Sequence, residues 1–184
     1  FSTPSTTFGS DVHKALENIL LGKAKPEDFP EENMQKAIKN ALTIIEELET
    51  EFPGLKVIDT ETKIALPVKS IFNYSKDDLI FSGKLDVVLK HDDGYLIIDF
   101  KTDKDTSYSD SHKRQLALYK KMYSVSESIP EDQIKVCVIY IALRGNIETG
   151  RYDGEKHMGG RNVFSTIERY FQKILGWRQD PGTF

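Results

Sequence analysis

A three-layer α/β architecture, a central mixed sheet flanked by helices, is predicted by three features of this 184-residue chain. Two amphipathic helical segments open it. A group of β-rich segments joined by Asp92-Asp93-Gly94 follows. Helix, strand, strand and helix then complete the order ααβββαββα, which a layered sheet with helices on its faces accommodates.

The first helix rests on Val12, Leu16, Ile19 and Leu20, which recur at helical spacing, with Thr7 or Ser10 as its N-cap. A loop rich in Lys, Pro and Asp leads to Pro30, which opens a second helix. Its stripe is Met34, Ile38, Ala41, Ile45, Leu48 and Phe52, and Pro53-Gly54 stops it. Val57 to Val68 reads as extended, with Pro67 marking an edge or an end. Leu79 to Lys90 and Tyr95 to Thr102 are β-rich runs on either side of the Asp-Gly turn signal, which predicts a hairpin. A polar loop, Asp103 to Ser111, precedes a third helix from about His112 to Val125. Ile134 to Leu143 is a long β-branched strand. Arg144-Gly145-Asn146 turns into a short strand, Ile147 to Tyr152. Val163, Ile167, Tyr170, Phe171 and Ile174 form a last amphipathic helix closed by Gly176.

The length suits one domain over residues 1–184 with a sizeable core. Hydrophobic residues make up 39% and charged residues 29%, ordinary for a globular chain. There is no apolar run of membrane-spanning length and no signal-peptide pattern. Cys137 is the single cysteine, which excludes an internal disulfide and a four-cysteine cluster and fits an intracellular, cytoplasmic setting. The start at Phe1 suggests a fragment of a longer protein. Net charge is −4, which counts against strong DNA affinity by the chain alone. The charge is unevenly spread. Glu27 to Glu61 carries ten acids against three bases, Lys101 to Lys121 six bases against three acids, and Arg144 to Arg178 seven bases against four acids.

The chemistry concentrates in Gly83-Lys84-Leu85-Asp86 and Ile97-Ile98-Asp99-Phe100-Lys101-Thr102. Acids among apolar β-formers are unfavourable unless solvated, paired or bound to metal. Register decides whether they meet. A turn at Asp93-Gly94 sets Asp86 opposite Lys101; a turn one residue earlier sets Asp86 opposite Asp99. Both registers put Asp86, Asp99 and Lys101 on one face, roughly 5–8 Å apart. Two convergent carboxylates suit Mg2+, a hard ion that favours oxygen ligands. Lys101 projects on the same side, where an ammonium can position the attacking water and stabilise charge on a phosphate.

Gly83-x-x-Asp86 followed by Asp99-Phe100-Lys101-Thr102 resembles the core of RecB-family nucleases, a branch of the PD-(D/E)XK superfamily. Gly9-Ser10-Asp11-Val12-His13-Lys14-Ala15-Leu16-Glu17 is similar to that family's helical His motif, and Gln115-Leu116-Ala117-Leu118-Tyr119 to its Q-x-x-x-Y helix. The three motifs keep their order from position 9 to 119. The resemblance implies a restriction-endonuclease-like core and a Mg2+- or Mn2+-dependent DNA nuclease. It implies metal ligation by His13, Asp86, Asp99 and the Phe100 carbonyl, with Lys101 catalytic. Gln115, Tyr119, Glu17 and Glu61 follow as supporting residues, and Lys113 and Arg114, with Lys120 and Lys121, as DNA contacts. The chain departs from relatives that hold an iron–sulfur cluster with four cysteines. It looks more like the cluster-free nuclease domains fused to helicases, and implies an exonuclease of recombination and repair.

Blander readings stand beside these. Edge-strand acids deter aggregation; a lone helical histidine is usually structural; an exposed helical Glu and a basic helix face are common. His91, His112 and His157 carry no assignment. The rival functions are an inactivated nuclease fold that binds DNA or props a helicase, and a stand-alone single-strand exonuclease. Intact Asp86, Asp99 and Lys101 disfavour the first, the acidic balance the second.

Overall fold

The computed structural model describes residues 4–71, 80–146 and 151–159. Among these residues five strands form one sheet in the order β1-β2-β3-β4-β5: β1 Lys56–Pro67, β2 Ile80–His91, β3 Gly94–Lys101, β4 Ile134–Asn146 and β5 Arg151–Gly159. β3 and β4 run parallel and the other neighbours antiparallel, so the sheet is mixed. The parallel step is possible because α3, Ser109–Glu127, supplies the crossover between β3 and β4.

Helices cover both faces. α1, Pro4–Leu20, and α2, Glu32–Glu51, bury Val12, Leu16, Ile38, Ala41 and Leu48 against Val87, Leu89, Ile98, Phe100 and Ile139. α3 buries Leu116, Met122 and Tyr123 on the other face, against Leu85, Val88, Ile97, Val136 and Tyr140. The central strands are therefore apolar on both sides, as strands enclosed by helices must be.

The α2 stripe and its stop at Phe52 match the periodicity, since the Phe52 N–H donates to the Leu48 carbonyl at 2.8 Å. The helix begins at Glu32, two residues beyond Pro30. Pro67 is both the last residue of β1 and part of an edge strand. Several boundaries differ from expectation. α1 starts at Pro4, a favoured first helical residue, so Thr7 and Ser10 lie inside the helix and cannot cap it. α3 starts at Ser109 rather than near His112, after a turn in which Ser109 N–H donates to Thr106 O at 3.0 Å. Arg144-Gly145-Asn146 does not end β4. Arg144 takes a positive φ of 52°, but the strand absorbs it as a register shift and runs on to Asn146. β5 accordingly begins at Arg151 and reaches Gly159, later than the predicted strand. Positions 147–150 and the predicted helix around Val163 to Ile174 lie outside the described residues.

The hairpin turn lies at Asp92-Asp93. The register pairs His91 with Gly94, Leu89 with Leu96 and Val87 with Ile98. Gly94 stands at φ +154°, and a side chain there would run into the Gln133 carbonyl. This is the register that brings Asp86 level with Asp99.

Candidate active site

The β2–β3 ladder ends at Val87 and Ile98, one pair short of the acids. Beyond that point β2 pairs only with β1, through Leu85, Lys84 and Gly83, while Asp99, Phe100 and Lys101 pair with β4. The strands therefore part at Asp86 and Asp99, and backbone groups there lose their ladder partners. The Phe100 N–H donates instead to Asp86 Oδ2 at 2.9 Å. That bond supplies what a buried amide requires and fixes the Asp86 carboxyl in the fork.

Side-chain alternation also slips at this level. Leu85 packs on the α3 side of the sheet, yet Val87, two residues on, packs on the α1–α2 side. In a regular strand the two would share a face. The three predicted residues thus meet at an opening between strands rather than as neighbours on a flat face.

Asp86 and Asp99 are only 7% and 6% exposed. Burial, then the charge of Asp99, pushes the Asp86 carboxyl up to about 8, and the two groups lie close enough to share a proton. Lys101 Nζ is 2.9 Å from Asp99 Oδ2, but that oxygen has no hydrogen bond of good geometry. The two form a close ion pair. Burial opposes the Lys101 charge; Asp99 and Asp86 together outweigh it and hold its pKa above the ordinary lysine value.

α1 and α3 complete the site from opposite faces. His13 Nδ1 is 3.9 Å from Asp86 Oδ2, and its ring meets Phe100 edge-on at 6.5 Å between centroids. Burial lowers its pKa, favouring the neutral imidazole that a metal ligand must present. From α3, Gln115 Oε1 accepts from Lys101 Nζ at 3.3 Å, and Gln115 Nε2 donates to the Tyr119 hydroxyl at 3.2 Å. The i, i+4 pair read from the sequence is therefore a chain of contacts ending on the lysine.

The motif glycines acquire physical reasons. A Cβ on Gly83 would stand 2.6 Å from Tyr119 Cε1, so the ring lies directly on the β2 backbone. A Cβ on Gly9 would stand 2.8 Å from Thr102 Oγ1, so α1 crosses close over the end of β3. Gly9, His13 and Glu17 follow at i, i+4 and i+8, one stripe of α1 that meets β3, then Asp86, then Glu61 and Lys84.

Glu17 is 9% exposed; burial and then the charge of Glu61 push it up to about 7. Glu61 accepts from Lys84 Nζ at 3.0 Å. The sequence placed both acids near the site but missed Lys84 as their partner. Its place between Gly83 and Asp86 was the available signal. Three of the basic residues of α3 lie on other faces of the helix than Gln115 and Tyr119. The Lys113 stem lies against Gly159 of β5, Lys121 pairs with Glu131 at 3.2 Å, and Arg114 is exposed about 100° round the helix from Gln115. Of the unassigned histidines, His112 Nδ1 lies 2.8 Å from the Tyr140 hydroxyl, and His91 Nδ1 accepts from the Asp93 N–H at 3.2 Å in the turn. A cleft of about 710 Å3 between α1 and α2, lined by Phe8, Lys14, Phe29 and Met34 among others, includes none of the site residues.

The donor set fits a hard divalent ion: two buried carboxyls, one bearing an oxygen without a hydrogen bond, beside an imidazole and the Phe100 main chain. As they stand, no three His, Cys, Asp or Glu side chains among the described residues close around a common point. Ligation therefore requires Asp86 to release its proton and the two carboxyls to turn toward a shared ion.

The sequence model of the PD-(D/E)XK nuclease superfamily matches residues 2–180. No curated protein gives a match. Among solved structures, the crystal structure of SSO0001 is similar at 17% identity and a TM-score of 0.41, covering 100% of this chain and 91% of that one.

Proposed function

We propose, from the premise that the chain belongs to the PD-(D/E)XK nuclease superfamily, that it hydrolyses phosphodiester bonds in DNA with Mg2+ or Mn2+ held by Asp86, Asp99, His13 and the Phe100 carbonyl. The observation that carries this reading is the fork. Two buried carboxyls meet where the β2–β3 ladder ends, one oxygen of Asp99 lacks a hydrogen bond, and an ammonium stands 2.9 Å away.

When bound, the cation supplies Lewis acidity and charge neutralisation at the phosphoryl group. The chain's own groups supply the rest. Asp86, anchored by the Phe100 N–H, and Asp99 offer hard oxygen donors. Lys101, steadied by Gln115, orients the attacking water and stabilises negative charge developing on the phosphoryl oxygens. Tyr119 steadies Gln115 in turn. The order of motifs from Gly9 to Tyr119 resembles RecB-like nucleases. It supports an exonuclease working from DNA ends in recombination or repair, beside a helicase. No helix among the described residues is long and apolar enough to cross a membrane.

The test is a division of labour. Asp86→Ala abolishes both Mn2+ binding in calorimetry and cleavage of labelled DNA. Lys101→Ala lowers cleavage by roughly 10²–10⁴-fold, the usual contribution of a positioned proton-transfer or charge-stabilising group, while Mn2+ still binds. His13→Ala weakens Mn2+ more than Mg2+, because Mn2+ accepts nitrogen more readily. Tight Mn2+ binding by Asp86→Ala would show that the ion sits elsewhere.

A further inference from the structure

β1 is irregular at the level of the site. Its register with β2 pairs Thr60 with Val87 and Thr62 with Leu85, leaving Glu61 and Asp86 unpaired between them. Glu61 holds φ at +51°, a left-handed conformation that a non-glycine residue in a strand adopts only when its surroundings impose it. The imposing contacts are visible. Asp59 accepts from the Thr60 N–H at 2.9 Å and the Thr62 hydroxyl at 2.7 Å, bracketing Glu61. The Glu61 carboxylate accepts from Lys84 Nζ at 3.0 Å and reaches the buried Glu17 of α1.

The slip in β2 occurs at the same level. Leu85 and Val87 point to opposite faces although they are two residues apart. Both irregularities therefore flank the one residue, Asp86, that must leave the regular alternation to reach Asp99.

We infer that Glu61, together with Lys84 and Glu17, is a positioning residue: it holds β1 and β2 in the slipped side-chain alternation that turns Asp86 into the fork. The inference rests on Asp86 being a metal ligand. Glu61 acts through the strand and does not itself meet the ion. The Glu61–Lys84 pair is half-exposed and adds little to stability, so its effect is read in metal affinity and not in melting temperature.

The charges of the pair give a discriminating experiment, Mn2+ titration by calorimetry of the whole chain, with thermal melts alongside. If Glu61 and Lys84 matter only as charges near a cation site, Glu61→Gly weakens Mn2+ binding and Lys84→Met strengthens it. If they hold the slipped alternation, both substitutions weaken it, by roughly tenfold as for other groups that orient a ligand, and the double variant loses no more than either single one. Glycine accepts the positive φ at position 61, so Glu61→Gly melts no lower than the parent. Stronger Mn2+ binding by Lys84→Met, or unchanged binding by Glu61→Gly, overturns the inference. Asp86→Ala in the same series separates the two levels. Lost binding there with unchanged binding in Glu61→Gly defeats the positioning role alone, whereas unchanged binding in Asp86→Ala defeats the metal reading on which it stands.

Discussion

The two halves of one hairpin contrast sharply. From Val87 to His91 against Gly94 to Ile98, every position finds a cross-strand partner, and Val87, Val88, Leu89, Leu96, Ile97 and Ile98 are buried. From Gly83 to Asp86 against Asp99 to Lys101, the same two strands no longer pair. The backbone of the first half is satisfied by its ladder, although the His91 Nε2 at its turn end is buried without a hydrogen bond. The second leaves an amide that needs a carboxylate, a buried carboxyl whose pKa is pushed up to about 8 and an oxygen with no hydrogen bond. A sheet that opens between two strands creates unsatisfied polar groups, and those are the groups able to take a ligand. The ladder half holds the fold together; the fork half carries the groups proposed above to bind the ion.

The largest effect that sharpens this contrast is on the ladder side. Ile98 is fully buried in the α1–α2 core, and Ile98→Ala leaves a cavity there. It should cost about 3 kcal/mol of unfolding free energy in denaturant titration, within the usual 2–5 kcal/mol range. The fraction that stays folded should keep its Mn2+ affinity. A large loss of affinity without loss of stability would mean that the two halves are not separable.

The fork side should respond in the opposite direction. In the folded, metal-free chain burial, as the largest cause, pushes the Asp86 carboxyl up to about 8 from an ordinary 3.8. The folded state therefore binds its proton more tightly than the unfolded state does. The stability this contributes is complete below about pH 4 and is lost as pH rises toward 8. Asp86→Asn does not titrate. In metal-free buffer it should exceed the parent by about 2 kcal/mol at pH 8, roughly 4–8 °C in melting temperature for a domain of this size, and by much less at pH 5. Glu17 is shifted the same way, to about 7, but is present in both proteins and cancels from the difference. A gap that is equal at both pH values would remove Asp86 as its source.

How much of this was legible follows the same division. The ladder half and the helices wrote themselves in periodicity: the α2 stripe, the apolar runs of β2 to β4, and the Asp-Gly turn that left two registers open. Asp86, Asp99 and Lys101 were legible because charge inside an apolar strand demands a reason. The parting of the strands was not, since no local residue preference records where a ladder stops. The positive φ at Glu61 was equally hidden, because an ordinary glutamate carries no local signal for it and its partner Lys84 lies on another strand. At Arg144-Gly145-Asn146 the turn signal was real but was absorbed as a register shift, because β4 keeps β5 as a partner beyond it.

The smallest expected effect tests whether the fork's two helices act through contact or merely through proximity. Gly83 carries no side chain, and the Tyr119 ring occupies the space that one would need, 2.6 Å from the ideal Cβ position. Gly83→Ala must therefore push the ring aside, while β2 itself keeps its register with β1 through Ile64. Moving the ring moves its hydroxyl, which receives the Gln115 amide at 3.2 Å, and Gln115 in turn steadies Lys101. That displacement of the ring should reach the lysine as lost order rather than lost charge. The expected outcome is a fall in kcat of about tenfold, about 1.4 kcal/mol, with Mn2+ affinity unchanged because neither Gly83 nor Tyr119 touches the carboxyls. Tyr119→Phe keeps the ring on Gly83 but removes the hydroxyl, and should lower kcat by a similar factor. If Gly83→Ala is slow and Tyr119→Phe is not, ring packing alone matters and the Gln115 link is incidental. If both are as fast as the parent, Lys101 holds its position by its contact with Asp99, and α3 contributes only the core that it buries.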